Sequence, residues 1–265
     1  MQLAQFAQQI FSERRLFFLN QVLQDVPEYK DVIELHGPIT KDLAYWVYDY
    51  VNQNAYTNKF TKNEDRLLVN ITSNGGDPDA AYQIYKTLSK KCGNIDYSIP
   101  VRAKSAATLL ALSGSKIYMT DTAELGPLDI QIETDSITIS GNSITDSLKN
   151  IKNLHKKNKE LSSEWLKQLN PIVFSELNRK NKIVIEYSKR MWKVPSKDKV
   201  IRKLTKNYPH HSYVLDIDEV RSLGFNVFNL ESLPKLFVPL TESYKVSQAM
   251  EELNILMTEH NKNED

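Results

Sequence analysis

Short apolar runs alternate with helical patterns through the middle of this chain. Four runs have the length and composition of short strands, and they span residues 31–36, 67–72, 95–101 and 116–119. Helical patterns follow the second and third runs, from Asp79 to Lys91 and from Ser105 to about Ser113. This βαβαβ order predicts a largely parallel sheet with right-handed crossovers.

Helical patterns also occupy both ends of the chain and its second half. They are predicted at residues 1–26, from Thr40 as N-cap to about Asn52, at 145–193 with a new helix from Pro171, at 216–223, and from about Ser243 onward. Strand patterns occur at residues 134–139 and 225–230. The simplest organisation is an α/β domain over residues 31–235, between a helical extension at 1–30 and a helical tail at 236–265.

Two turns of small residues carry the candidate chemistry. The segment Asn74-Gly75-Gly76-Asp77 ends the second run, and Ala103-Lys104-Ser105-Ala106-Ala107-Thr108 follows the third. Paired glycines leave backbone N–H groups open to a negative charge, and a helix N-terminus also favours an anion. Ligands of such sheets bind beyond the carboxyl ends of the strands, where both turns fall. A serine beside a preformed oxyanion hole is what acyl transfer requires, so the chain is a candidate serine hydrolase.

Composition narrows the expected partners and cofactors. With 34 basic and 33 acidic residues the net charge is +1, so electrostatics give no reason to expect a nucleic acid or a membrane as partner. The single cysteine, Cys92, allows no intrachain disulfide and fits a reducing compartment. The sequence contains no His-Glu-x-x-His motif, cysteine cluster or P-loop, so we expect no metal and no other cofactor. Residues 1–11 lack the pattern of a secretory signal, and we expect a cytoplasmic protein.

The two turns, together with Leu125-Gly126-Pro127-Leu128-Asp129, resemble segments of the Clp protease/crotonase superfamily. Within it the chain is most similar to the serine dehydrogenase proteinase family, relatives of signal peptide peptidase A. A late segment, His211 to Leu215 followed by Asp218 to Gly224, resembles a segment of the same family. The resemblance covers about residues 31–230. It implies a Clp/crotonase-type spiral of repeated ββα units, a peptidase mechanism of acyl transfer, and oligomers that enclose the active sites.

The resemblance also implies the parts of an active site. Ser105 would be the nucleophile, and the backbone N–H groups of Gly76 and Ala106 would form the oxyanion hole. In the Clp branch a histidine acts as the base, but this chain has Asp129 at the corresponding place. A Clp-type Ser-His-Asp triad is therefore not expected. Asp129 would either orient another base or hold the turn after Pro127, and we favour the turn.

The general base then has two candidates. Relatives of signal peptide peptidase A use a lysine, and Lys149 is the first choice by resemblance. A lysine acts as a base only if burial or nearby positive charge lowers its pKa, and Lys149 could instead be one more surface lysine of a Lys-rich helix. His211, or its neighbour His210, is the second choice, since a histidine needs no unusual environment. The competing interpretation of both histidines is a solvated loop after Pro209.

Three functions fit these features. We favour a serine peptidase that acts on peptides or unfolded protein, is ATP-independent in itself, and forms a homo-oligomer, whether a dimer, a trimer or a higher ring. A crotonase-like acyl-CoA enzyme would use the same oxyanion hole for an enolate and would not need Ser105. An inactive scaffold or binding protein on the same fold is the third, because relatives often have a glycine within the Ser105-Ala106-Ala107 turn.

Overall fold

The structure, a computed structural model, describes residues 2–56, 65–133, 138–167 and 171–263 of the chain. Two compact units can be distinguished within it. The first combines residues 1–125 with 215–265, and the second consists of residues 126–214. The chain leaves and re-enters the first unit at neighbouring points, because Leu125 and Leu215 exchange two backbone hydrogen bonds of 3.0 Å.

A five-stranded parallel sheet forms the centre of the first unit. Its strands, in order across the sheet, are β1 (Tyr29–His36), β2 (Arg66–Thr72), β3 (Asn94–Ile99), β5 (Ile117–Met119) and β9 (Val227–Asn229). Residues 67–72 of β2 are all buried, which explains why this strand is an almost continuous apolar run. A smaller parallel pair, β4 (Arg102–Ala103) and β6 (Glu124–Leu125), joins the end of β2 through a bridge between Ser73 and Ala103.

Side-chain caps explain where several helices of this unit begin. The helices are α1 (Gln2–Asp25), α2 (Lys41–Tyr56), α3 (Pro78–Lys91), α4 (Ala106–Ala111), α9 (Ile217–Ser222) and α10 (Pro234–Asn263). Before α3, the carboxylate of Asp77 accepts a 2.8 Å hydrogen bond from the N–H of Asp79, and Pro78 fills the first helical position. Asp216 caps α9 in the same way, through the N–H of Glu219.

The terminal helices belong to the core of the first unit. A buried apolar cluster draws on α1, on α10 and on strands of the sheet, and its members include Leu19, Val22, Tyr29, Val32, Leu68, Tyr118, Leu230, Leu236 and Leu240. Burying side chains of this size stabilises the fold by about 1.5–3 kcal/mol each. The helices α1 and α10 at the two ends of the chain therefore have a packing role.

A buried carboxylate organises the amino ends of the strands. Asp96 has no exposed surface and accepts hydrogen bonds from Tyr29 Oη (3.0 Å), Arg66 Nη1 (2.7 Å) and the N–H of Lys116 (2.9 Å). Burial raises the pKa of Asp96 above its usual range, although these donors act in the opposite direction. The network joins β1, β2 and β3 to the start of β5.

The second unit is mostly helical. It contains the antiparallel strands β7 (Gln131–Glu133) and β8 (Thr138–Ser140), and the helices α5 (Gly141–His155), α6 (Lys159–Lys167), α7 (Pro171–Met191) and α8 (Lys197–Arg202). A π-helical turn, Lys203–Asn207, continues α8. Trp192, Leu177, Val184 and Leu204 are among its most buried side chains.

The α/β fold with a parallel sheet and helices at both ends is confirmed, as are the helix start after Thr40 and the start at Pro171. One prediction was wrong in detail. The last helix begins at Pro234 rather than near Ser243 and continues through Pro239, because Leu236 and Leu240 of its first turns pack in the core. The helix α8 was not predicted. Of the strand predicted at 134–139, residues 134–137 lie outside the described residues. The division into residues 1–30, 31–235 and 236–265 stays a prediction.

Candidate active site

Two glycines shape the turn that follows β2. Gly75 has a φ of +106° and Gly76 a φ of +145°, values that side-chain-bearing residues rarely adopt. A Cβ on Gly76 would lie 2.3 Å from the carbonyl oxygen of Ile39, which itself accepts a 2.8 Å hydrogen bond from the N–H of Asp77. Gly76 therefore packs so closely on the chain before α2 that its position requires glycine.

Ser105 occupies the second turn in a strained conformation. Its φ of +48° and ψ of −118° are unusual for a residue other than glycine. Ser105 directly precedes α4, yet its side chain makes no capping hydrogen bond to that helix. The half-buried hydroxyl is thus presented on a sharp turn rather than used to begin the helix.

The two turns are in direct contact. The N–H of Ser73 donates to the carbonyl of Arg102 (3.0 Å), and the N–H of Lys104 donates to the carbonyl of Ser73 (2.9 Å). A Cβ on Gly75 would lie 2.8 Å from Ser105 Cβ and 2.9 Å from the carbonyl oxygen of Lys104. Backbone pairing therefore sets the distance between the turns, and the missing side chain of Gly75 allows it.

Ser73 supports the glycine turn, and the sequence analysis missed it. Its Oγ accepts a 3.0 Å hydrogen bond from the N–H of Gly75, and the residue is 2% exposed. A serine two residues before a turn glycine is the pattern of a hydroxyl that bonds its own backbone two residues on, so the signal was present in the sequence.

The predicted oxyanion hole consists of the N–H groups of Gly76 and Ala106, which belong to the two turns that are in contact. Within the described residues, no acceptor is paired with the N–H of Gly76 or with that of Ala106. Since α4 has only six residues, its contribution here is this first N–H group rather than a long helix dipole. Such unpaired donors can stabilise a developing negative charge.

Lys149 lies on α5 in the second unit. Its side chain is 69% exposed, and its Nζ atom is 2.9 Å from Oδ1 of Asp146, one turn earlier on the same helix. The contact is an ordinary ion pair on a helix surface.

Asp129 and His211 form a hydrogen-bonded pair within the second unit. Nδ1 of His211 lies 2.6 Å from Oδ1 of Asp129, and the two side chains are 20% and 4% exposed. His210, by contrast, is exposed and bonds Ser212 Oγ at 2.7 Å. A buried carboxylate that holds one imidazole nitrogen fixes the ring and its tautomer, which is the contact that the orienting role of Asp129 requires.

Cys92 is a buried structural thiol at the end of α3. Burial, with smaller effects of Asp31 and Asp65, raises its pKa to about 12, so the nucleophilic thiolate is scarce near neutral pH. Among the residues that the structure describes, no three His, Cys, Asp or Glu side chains are grouped to hold a metal ion. Nor is any helix in the described ranges long and apolar enough to cross a membrane.

Comparison with known families and proteins finds relatives of this chain. Residues 57–258 match the family model described as ClpP-like SDH-type serine proteinase. An uncharacterized protein of Methanocaldococcus jannaschii, MJ0137, is 27% identical over 175 residues, or 66% of this chain. That stretch is 57% of the relative, so the chain spans less than two thirds of its length.

Solved structures that are similar to this chain include two mutants of one protein. One is a serine-to-alanine mutant of the 1510-N membrane-bound stomatin-specific protease, with 14% identity and a TM-score of 0.49 over 77% of this chain and 82% of that chain. The other is a lysine-to-alanine mutant in complex with a substrate peptide, with 15% identity and a TM-score of 0.48 over 74% and 73%.

Proposed function

Because this chain belongs to the family of ClpP-like SDH-type serine proteinases, we propose that it hydrolyses peptide bonds with Ser105 as its nucleophile. The observation that carries this proposal is the fit of Gly75 against Ser105, which places a strained serine beside a glycine turn. Backbone strain of this kind costs about 1–3 kcal/mol and clusters at functional sites. A serine with only a structural role would not require this strained backbone conformation.

In the proposed reaction, Ser105 Oγ attacks the carbonyl carbon of the peptide bond while a general base takes its proton. The carbonyl oxygen becomes an oxyanion that accepts hydrogen bonds from the N–H groups of Gly76 and Ala106. The base then gives the proton to the leaving amine, and the acyl group stays on Ser105. Water, activated by the same base, attacks the acyl group and releases the second product.

We propose His211 as the general base, with Asp129 orienting it. The hydrogen bond of 2.6 Å occupies Nδ1 of His211 and leaves Nε2 for the proton of the nucleophile, as in other histidine-dependent hydrolases. Lys149, which the resemblance favours, is the alternative. A lysine base needs burial or a neighbouring positive charge, whereas the Lys149 side chain is 69% exposed and contacts a carboxylate.

The substrates we propose are peptides or unfolded protein segments, cleaved without ATP by a homo-oligomer (a dimer, a trimer or a higher ring) in the cytoplasm. Family membership supports the substrate class. The surface of α2 supports an oligomer, because Tyr45, Trp46 and Tyr48 are 68%, 45% and 55% exposed. Neighbouring exposed aromatic side chains are typical of a surface that a partner covers.

Covalent labelling with a fluorophosphonate probe tests the nucleophile. We expect native protein to be labelled at Ser105, as located by mass spectrometry, and Ser105→Ala to lose both the label and peptidase activity. Ser115→Ala is the control, since Ser115 lies on the surface after α4 and leaves the turn intact. A native protein that stays unlabelled between about pH 6 and 9, where a histidine or lysine base would act, would instead favour a non-catalytic binding role.

A further inference from the structure

Lys104 immediately precedes the proposed nucleophile and is held by two groups of β6. Its Nζ atom lies 2.6 Å from Oε2 of Glu124 and donates a 3.2 Å hydrogen bond to the carbonyl oxygen of Leu125. The lysine side chain is only 15% exposed. The Glu124 side chain is 40% exposed, so the ion pair is shielded on the lysine side, and the second bond to the Leu125 carbonyl helps to define the position of the ammonium group.

The carbonyl group that Lys104 holds lies at the boundary of the first unit. Leu125 is the last residue before the chain enters the second unit, and Leu215 is the first residue after it returns. The carbonyl oxygen of Leu125 also accepts the N–H of Leu215 at 3.0 Å. The carbonyl oxygen of Leu125 is thus hydrogen-bonded both to the Lys104 side chain and to Leu215, the residue at which the chain returns to the first unit.

The backbone of Lys104 holds the catalytic turns at the same time. Its N–H donates to the carbonyl of Ser73, before the glycine turn, and its carbonyl accepts the N–H of Ala107 at 2.9 Å, in the first turn of α4. Because Lys104 and Ser105 share a peptide bond, a displacement of Lys104 would therefore also displace Ser105.

We infer that Lys104 is a positioning residue for peptide hydrolysis, an inference that rests on the proposed function. Its ammonium group, held by Glu124 and Leu125, fixes the Ser105 turn against the Leu125–Leu215 pair. All of these contacts lie within the first unit, to which Ser105 also belongs. We call these contacts of the Lys104 ammonium group with Glu124 and Leu125 the anchor. Loss of the anchor slows the chemical step while substrate binding is retained.

The kinetic test compares Lys104→Met with the wild-type protein. Methionine keeps a long apolar stem and removes the charge, so we expect kcat to fall about 10- to 100-fold while KM stays within about twofold. Lys104→Arg can still pair with Glu124 and should remain within about threefold of wild-type kcat. An unchanged kcat in Lys104→Met would overturn the inference.

Lys116→Met is the matched control. Lys116 lies in the same unit, its side chain is 27% exposed, and its Nζ atom is 3.6 Å from a carboxylate oxygen of Glu28. Lys116→Met therefore also loses an ion pair, but beside Asp96 at the amino end of β5, whereas the Ser105 turn follows the carboxyl end of β3. We expect its kcat to equal that of wild type, and a loss equal to that of Lys104→Met would show a general effect on stability instead.

Hydrogen exchange separates this inference from the proposed function. The amide protons of Leu125 and Leu215 should exchange about tenfold faster in Lys104→Met than in wild type, because local opening costs less without the anchor. This measurement needs no enzymatic activity. If the variant exchanges faster but the wild-type protein shows no peptidase activity, the proposed function is wrong and the structural role of the anchor is supported. If exchange is unchanged, the inference about Lys104 is wrong.

Discussion

A Cβ atom on Gly75 would lie 2.8 Å from the Cβ atom of Ser105, closer than two such atoms approach in proteins. The glycine turn and the serine turn are thus two sides of one contact. Any side chain at position 75 would have to push Ser105 away from its place.

Replacing Gly75 by alanine should abolish labelling of Ser105 by a fluorophosphonate and lower the melting temperature. The positive φ alone costs about 1–3 kcal/mol for a residue with a side chain, and the contact with Ser105 adds to that cost. Gly37→Ala is the matched control, since Gly37 has a φ of +89° but an added Cβ would meet no described atom within 4 Å. We expect Gly37→Ala to lose stability and to keep its labelling, and equal labelling in both variants would contradict the contact.

His211→Ala should reduce kcat by about 10²–10⁴ while circular dichroism shows a folded protein, because a positioned base contributes that much to proton transfer. Asp129→Asn should lower kcat as well, since its amide N–H can donate to Nδ1 of His211 and favour the tautomer that carries its proton on Nε2. Lys149→Ala should keep most of the activity. The opposite result, an inactive Lys149→Ala and an active His211→Ala, would assign the base to Lys149.

The buried Asp96 predicts a pH dependence of stability with a definite sign. Burial raises the pKa of this carboxyl above its ordinary 3.8, so the native state binds the proton more tightly than the unfolded state. Its contribution to the free energy of unfolding is largest below pH 3.8 and declines as pH rises through the raised native value. In urea unfolding experiments, the free energy of unfolding of the wild-type protein should therefore fall relative to that of Asp96→Asn as the pH rises from 3.8 through the raised native pKa. A relative gain would show that Arg66 and the other donors outweigh burial.

The thiol of Cys92 should react slowly in the native protein. Near neutral pH, the thiolate fraction of a thiol with a pKa of about 12 is about 1,000-fold lower than that of a thiol with the ordinary pKa of 9.0. Alkylation by iodoacetamide at a pH of about 8 should therefore be at least about 1,000-fold slower in native protein than in urea, measured by mass spectrometry. Comparable rates in the two conditions would show that the end of α3 opens readily.

Much of the first unit could be predicted from local patterns. The apolar run of β2, the N-cap at Thr40 and the Gly75-Gly76 turn each depend on a few neighbouring residues, whose backbone preferences act in any context. The early start of α10 could not be predicted, since Leu236 and Leu240 gain their helical stability from packing in the core shared with α1.

By itself, the sequence determined that two turns of small residues end strands of a parallel sheet, because strand periodicity and glycine stereochemistry are local properties. Only the tertiary structure decided that Gly75 touches Ser105, that Lys104 is held by Glu124, and that Asp129 pairs with His211 across 82 residues of sequence. Such contacts arise when distant segments pack together to bury apolar surface and pair their polar groups, and no spacing along the chain encodes them directly.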